Sequence, residues 1–216
     1  ISIKDIAQAV GVSTATVSLV LTGKNKNGRV GKEMSEKIKK VAHEMNYQPN
    51  RLAMSLQSGR SQTIGLLVAD ISNPFFGTLA FYVQEEMEKA GYAVIIMNTD
   101  ESDLQMERMI SLLRSRQVDG FIIVPTEFGE KNIAQLVNNH IPLVLIDRYY
   151  PSLQVNSVLI DNYQVAYEAT RYLIDIHCKK IALLIYENNQ PHMTERERGY
   201  TNALKDAGIT ASELGK

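Results

Sequence analysis

Short runs of Ile, Val and Leu, each followed by a segment of helical periodicity, constrain this chain more than any other feature. The runs are TIGLLVAD (63–70), AVIIMNT (93–99), GFIIVP (120–125), PLVLID (142–147), SVLID (157–161) and KIALLI (180–185). Helical patterns fall between them: in PFFGTLAFYVQEEMEKAGY, which Gly91 ends, and over 104–117, 133–140, 162–176 and 196–207. A strand that is apolar throughout must be covered on both faces. Parallel pairing with crossover helices achieves this. The pattern predicts an α/β domain built on a parallel sheet, and ligands in such sheets bind beyond the carboxyl ends of the strands.

Those ends are where polar residues collect. DISNPFF (70–76) follows the first run, with Asn73 placed to cap the next helix and Pro74 at its first position. Asp147-Arg148 follows the fourth run and Asp161-Asn162 the fifth. Aromatic rings beside carboxylates suit a sugar or a purine-like base, through ring contact and hydrogen bonds. Asp70 and Asn73 are therefore candidate effector contacts. Enzyme signatures are missing: no G-x-G-x-x-G follows a strand, and there is no Walker loop and no G-x-S-x-G. His43, His140, His177 and His192 are scattered and read as structural or exposed. The single cysteine, Cys178, excludes an internal disulfide. The expectation is no enzyme, no cofactor and no metal.

Upstream of residue 62 the pattern is different. In IKDIAQAVGVSTATVSLVLTG (3–23), Ile3, Ile6, Ala7 and Val10 fall at helical spacing, and Ser2 with Asp5 reads as a capping box. Gly11 stands where a left-handed residue would end the helix. Ser13 can cap a second helix whose Val17, Val20 and Leu21 share a face, with Thr14, Ala15, Thr16, Ser18 and Leu19 pointing outward. Two short helices about a Gly turn make a helix-turn-helix, and its second helix can enter a DNA major groove. A loop rich in Gly, Asn and Lys (23–31) reads as flexible, with Lys24, Lys26 and Arg29 available to phosphates. A third helix over 32–45 turns Met34, Ile38, Val41, Ala42 and Met45 inward. Asn46-Tyr47 ends it, and Pro49 blocks its continuation.

The charge distribution separates the same two parts. Residues 1–60 hold ten Lys/Arg against four Asp/Glu, and the remainder holds 13 against 20. A basic segment joined to an acidic body is the balance expected of a polyanion-binding module on a separate domain.

GVSTATVS, followed after the third helix by NYQPNRLAMSL, resembles the headpiece of the lac-repressor (LacI/GalR) family of bacterial transcription regulators, and the resemblance continues along the chain. It implies a small all-α helix-turn-helix headpiece (1–48), a hinge helix or linker (49–61) and a periplasmic-binding-protein-like effector domain. The first subdomain of that domain spans 62–161, and the second begins at 162 and is incomplete at 216. The resemblance implies DNA contacts from Ser13, Thr14, Ala15, Thr16, Ser18 and Leu19, joined by Asn50, Arg51 and Leu56 of the hinge. Leu56 matches a leucine that wedges between base steps in the minor groove. The resemblance also places Phe75, Phe76, Asp147 and Arg196 at effector-contacting positions, Arg196 through its spacing to Gly199-Tyr200.

Three places depart from the pattern. Met54 stands where many relatives carry a basic residue, and QPHMT (190–194) fits poorly. Leu19 stands where many carry an arginine. Leucine donates no hydrogen bond, so a thymine methyl is its expected contact.

The expected function is a cytoplasmic, homodimeric repressor that binds palindromic double-stranded operator DNA and a small-molecule effector, a sugar. No apolar run reaches the ~20 residues needed to span a bilayer, and no signal peptide precedes Ile1. A small-molecule binding protein of the periplasmic type shares the expected fold, but the basic headpiece argues against it. A nucleotide-dependent enzyme on a doubly wound sheet would need a phosphate loop that this chain does not show.

Overall fold

A computed structural model describes residues 1–23, 25, 28–48, 55, 59–178, 180–186 and 190–209. The chain divides into two compact units, Ile1–Gly59 and Arg60–Lys216.

In the first unit, helix α1 is Ile3–Val10 and opens on the capping box of Ser2 and Asp5. The Asp5 carboxylate accepts from the Ser2 backbone N–H (2.7 Å) and from its hydroxyl (3.0 Å). Gly11 ends the helix at φ 80°, where a side chain would be strained. The Ser13 hydroxyl then accepts from the Thr16 N–H (3.1 Å) and starts α2, Thr14–Leu21. Helix α3, Lys32–Glu44, closes the core. Ile6, Val17 and Ile38 are wholly buried at its centre, one from each helix. Each such side chain contributes roughly 1.5–3 kcal/mol of burial free energy.

In the segment before α3, Asn25 has fixed partners that the composition does not suggest. Lys24 and Lys26 lie outside the described residues, but Asn25 straps the loop to α3. Its amide donates to the Val30 carbonyl (2.9 Å) and the Ser35 hydroxyl (3.2 Å), and its side-chain carbonyl accepts from the Val30 N–H (3.0 Å). One amide thus supplies both a donor and an acceptor to Val30.

The second unit is built on strands β1 (Thr63–Val68), β2 (Ala93–Asn98), β3 (Gly120–Ile123), β4 (Leu143–Ile146) and β5 (Ser157–Val158). All ladders are parallel, in the order β2-β1-β3-β4-β5. The helices are α4 (Pro74–Lys89), α5 (Asp103–Ser115), α6 (Glu130–Asn138), α7 (Asn162–Asp175) and α8 (Pro191–Asp206). Along β1, Leu66 and Val68 pack with Phe76 and Ala80 of α4, while Leu67 packs with Met106 and Leu113 of α5 and Leu136 of α6. Adjacent residues of one strand thus bury on opposite faces, which is why the run had to be apolar throughout. The sheet is anchored where the chain enters it: the Asp119 carboxylate accepts from the Ser61 N–H (2.7 Å), the Ser61 hydroxyl (3.0 Å) and the Gln62 N–H (2.9 Å).

Three sequence expectations are corrected. No strand forms over 180–185. Burial still alternates there, with Ile181 buried and Leu184 98% exposed, but none of the described residues supplies a neighbouring ladder. A strand pattern without a partner leaves an extended segment and nothing more. The fifth run forms only the two residues of β5, and Leu159 and Ile160 are exposed. Helix α8 begins at Pro191, five residues before the sequence pattern places it, because Pro at the first position loses no helical hydrogen bond.

Helix α8 lies close on α7. A Cβ at Gly199 would collide with the Tyr163 carbonyl oxygen and would stand 2.9 Å from the Tyr167 nitrogen, both backbone atoms of α7. Arg198 caps the contact by lying over the Tyr163 ring, 4.7 Å from its centroid.

Candidate functional site

Among the described residues, the sequence candidates gather in two places, one in each unit. In the first, the outward residues of α2 grade from solvent toward the core. Ser13, Thr14 and Ala15 are exposed, whereas Thr16, Ser18 and Leu19 are half-buried. The Ser13 and Thr16 hydroxyls share a hydrogen bond of 2.8 Å. The first turn of α2 is therefore free of long side chains, so its backbone can come close to a flat or grooved surface. The major groove of B-DNA is about 12 Å wide and admits such a helix. The basic character is partly spent internally: Lys39 pairs with Glu36 at 3.0 Å and Lys40 with Glu44 at 3.8 Å. Among the described residues, Lys4, Arg29, Lys32 and Lys37 have no ion pair of this kind and stay exposed. Asn50, Arg51 and Leu56 lie outside the described residues.

In the second unit a cavity of about 590 Å³ opens beyond the carboxyl ends of β1 and β4, and α8 walls its far side. The strand order places it by the switch between β1 and β3, where adjacent crossovers leave on opposite faces of the sheet. Asp70, Asn73, Phe75, Phe76, Asp147 and Arg196 all line it. Asn73 does structural work as well, because its side chain accepts from the Phe75 N–H (3.0 Å) and caps α4 ahead of Pro74. That cap aims Phe75 outward, half-exposed, and tucks Phe76 inward with the rings edge to face at 5.0 Å. Asp70 accepts from the Ser72 hydroxyl and N–H, which hold its carboxyl below the usual range.

Asp147 leaves β4 at φ 65° and donates its N–H to the Val158 carbonyl (3.0 Å). Burial raises its carboxyl above the ordinary value, against the pull of Arg148 and Arg196. Arg196 is aimed by Asn162, whose side-chain oxygen accepts from its Nε (2.8 Å). Asn162 is buried at the start of α7, which Asp161 caps by accepting from the Gln164 N–H.

Eight further lining residues, Glu101, Arg148, Gln190 and His192 among them, were not among the sequence candidates. Arg148 is the hub: both terminal nitrogens donate to Glu101 at 2.7 Å, Nη1 also reaches the Pro125 carbonyl (3.2 Å), and the guanidinium lies 5.8 Å from the Phe76 ring centroid. His192 is 5% exposed, and burial, reinforced by the Arg148 and Arg196 charges, lowers its pKa to about 4. Of the two readings the sequence left open for His192, structural or exposed, burial excludes exposure. The available signal was Pro191, which starts a helix at the cleft; nothing in the sequence marks Glu101.

Among the described residues, no cluster of three or more His, Cys, Asp or Glu is placed to hold a metal ion, and no helix is long and apolar enough to cross a membrane. The cavity offers hydrogen-bonding groups and aromatic faces rather than an activated nucleophile.

Comparison with known proteins agrees with both units. Residues 2–50 match the family described as bacterial regulatory proteins, lacI family. Residues 61–214 match the periplasmic binding proteins and sugar binding domain of the LacI family. The chain is 36% identical over 208 residues to the ribose operon repressor of Halalkalibacterium halodurans, covering 96% of this chain and 61% of that protein. It is 31% identical over 215 residues to the HTH-type transcriptional regulator DegA of Bacillus subtilis (strain 168), covering 98% and 63%. The chain thus spans somewhat under two thirds of the length of these relatives. In fold it is similar to the lac repressor dimer bound to operator and the anti-inducer ONPF, with a TM-score of 0.81 at 21% identity over 97% of this chain and 63% of that one.

Proposed function

This chain belongs to the lacI family of bacterial regulatory proteins, and from that premise we propose that it is a cytoplasmic, homodimeric transcriptional repressor controlled by a small-molecule effector. The headpiece (1–48) reads palindromic double-stranded DNA through Ser13, Thr14, Ala15, Thr16, Ser18 and Leu19. The linker (49–61) adds Asn50, Arg51 and the Leu56 wedge. The effector, a sugar, binds between a first subdomain (62–161) and a second that starts at 162, on Asp70, Asn73, Phe75, Phe76, Asp147 and Arg196. An effector acts on DNA binding only through its unequal affinity for the two states of the protein.

The observation that carries the reading is the first turn of α2: exposed, short and hydroxylic, on a unit with unpaired lysines and an arginine. It also separates this reading from a binding protein of the periplasmic type, which has no use for such a helix. Nothing in the regulator reading calls for catalysis, and we assign none.

The test is the salt dependence of binding to palindromic DNA by the full chain. Each neutralised phosphate contributes a slope of about −0.9 to log K against log salt. Several contacts per dimer give a steep line. Binding that is flat from low to moderate salt overturns the proposal.

A further inference from the structure

We infer that α2 reads its DNA site through the C5-methyl groups of thymines, met by Ala15 and Leu19, and makes no two-point hydrogen bond to a base. The inference rests on the DNA-binding reading above and deepens it by naming what this helix recognises in the groove.

The first observation is what α2 lacks. Its eight residues, TATVSLVL, include no charged side chain and no amide. Helices α1 and α3, by contrast, turn charged side chains such as Lys4, Glu33 and Lys37 to solvent. A two-point contact to a base edge needs a long side chain with a pair of suitably spaced polar atoms. Arginine or lysine supplies it for guanine, and asparagine or glutamine for adenine. None of these stands on α2. The Ser13 hydroxyl before the helix is already engaged by the Thr16 N–H (3.1 Å) and the Thr16 hydroxyl (2.8 Å). Thr14 and Ser18 remain, each with a single hydroxyl.

The second observation is an apolar stripe that the headpiece core does not use. Val17 and Val20 are buried in that core and Leu21 packs against it. Leu19 does not pack on it, and Ala15 is exposed. The two stand at i and i+4, so their Cβ atoms lie about 5–6 Å apart on one side of the helix. A helix with apolar residues on both sides is built to be covered on both. Charge decides what covers the outer one. Residues 1–60 hold ten Lys/Arg against four Asp/Glu, and Lys4, Arg29, Lys32 and Lys37 stay exposed on the described surface of this unit. Such a surface suits a polyanion. The apolar group that a base pair shows in the major groove of DNA is the thymine methyl. Base pairs follow one another at about 3.4 Å, so side chains at the Ala15–Leu19 spacing reach thymines one or two pairs apart.

The test begins with selection of binding sites by the full chain from randomised palindromic DNA. Each thymine of the selected half-site is then replaced singly by deoxyuridine, which keeps every hydrogen-bonding atom and removes only the methyl. The protein is untouched, so a loss of affinity reports the contact and not the fold. Two positions, one or two pairs apart, should each weaken binding about fourfold, the worth of one methyl removed from water. Leu19→Ala should bind the thymine site about fourfold less tightly and become indifferent to deoxyuridine at one of those positions while remaining sensitive at the other. A selected half-site without thymine, or one in which no deoxyuridine weakens binding, overturns the inference and leaves the DNA-binding reading standing. So does a methyl effect that Leu19→Ala leaves unchanged at both positions. If the selection enriches no sequence over random DNA, the DNA-binding reading falls and the inference with it.

Discussion

On one side of the cleft, Asp70, Asp147 and Arg148 sit just past the ends of strands held in a parallel ladder and buried on both faces. On the other, Gln190, His192 and Arg196 sit on the opening turns of α8, whose support is its close contact with α7. The strand wall is fixed by redundant interactions, since a ladder neighbour and two packed helical layers each constrain it. Among the described residues, the helix wall rests on the α7–α8 seam and on the Tyr200 hydroxyl, which donates to the Ile181 carbonyl (2.8 Å), and beside it segment 180–186 exposes Leu184 and Tyr186. Local stability follows the number of buried apolar contacts and protected hydrogen bonds, so the second wall should be the softer one.

The largest expected effect tests that contrast directly. Leu67→Ala empties a wholly buried site beneath β1 and should cost about 2–5 kcal/mol. Leu184→Ala, in a run of the same apolar character, should change stability by less than about 0.5 kcal/mol. Urea unfolding of the two variants against wild type measures the difference. A Leu184→Ala cost near that of Leu67→Ala would mean that the 180–186 segment is buried in solution, and the contrast between the walls would collapse.

The next effect acts on the seam. Gly199→Ala drives a Cβ into the backbone of α7, where neither Tyr163 O nor Tyr167 N can rotate aside. Overpacking of this kind costs about 1–3 kcal/mol. Because the clash is met by parting α8 from α7, Arg196 and His192 should move with α8 while Asp147 and Arg148 stay. Effector binding should therefore weaken more than the drop in unfolding stability alone explains. Unchanged binding would place the seam outside the machinery of the cleft.

The same contrast explains what could be read from the sequence. The strand wall is legible because Ile/Val/Leu runs in a doubly covered sheet have few alternatives, and the cap-and-proline signature at Asn73-Pro74 marks where the next helix begins. The headpiece was legible through Ser2, Gly11 and Ser13, each a local backbone signal with one structural meaning. The 180–185 run was misread because strand propensity is necessary but pairing is decided by a neighbour the run does not contain. Glu101 and the Arg148 hub could not be found, because their partnership spans loops after two different strands and leaves no spacing in the sequence. The closeness of Asn25 to Ser35 is of the same kind, a tertiary closure hidden in a segment whose composition suggests a mobile loop.

The smallest effect concerns the charge state of the helix wall. His192 titrates at about 4 in the folded protein and near 6.5 when exposed, because burial removes water from the imidazolium and Arg148 and Arg196 repel it. Between those values the unfolded chain binds a proton that the folded protein refuses. Its contribution to stability is therefore complete above pH 6.5 and is lost as the pH falls toward 4. From pH 7 to pH 5 the loss should amount to about 1–2 kcal/mol. Asp147 acts with the opposite sign. Burial raises its carboxyl above 3.8, so the folded protein takes up that proton first and gains stability as the pH falls through the raised value. The two slopes overlap, and the informative quantity is the difference between wild type and His192→Asn, in which the Asp147 contribution cancels. Unfolding followed from pH 7 to pH 5 should show the wild type losing more stability than the variant. Parallel curves would mean that the imidazole is solvated, that α8 stands off the cleft at this point, and that the helix wall is looser than the strand wall in its resting state as well as in its response to Gly199→Ala.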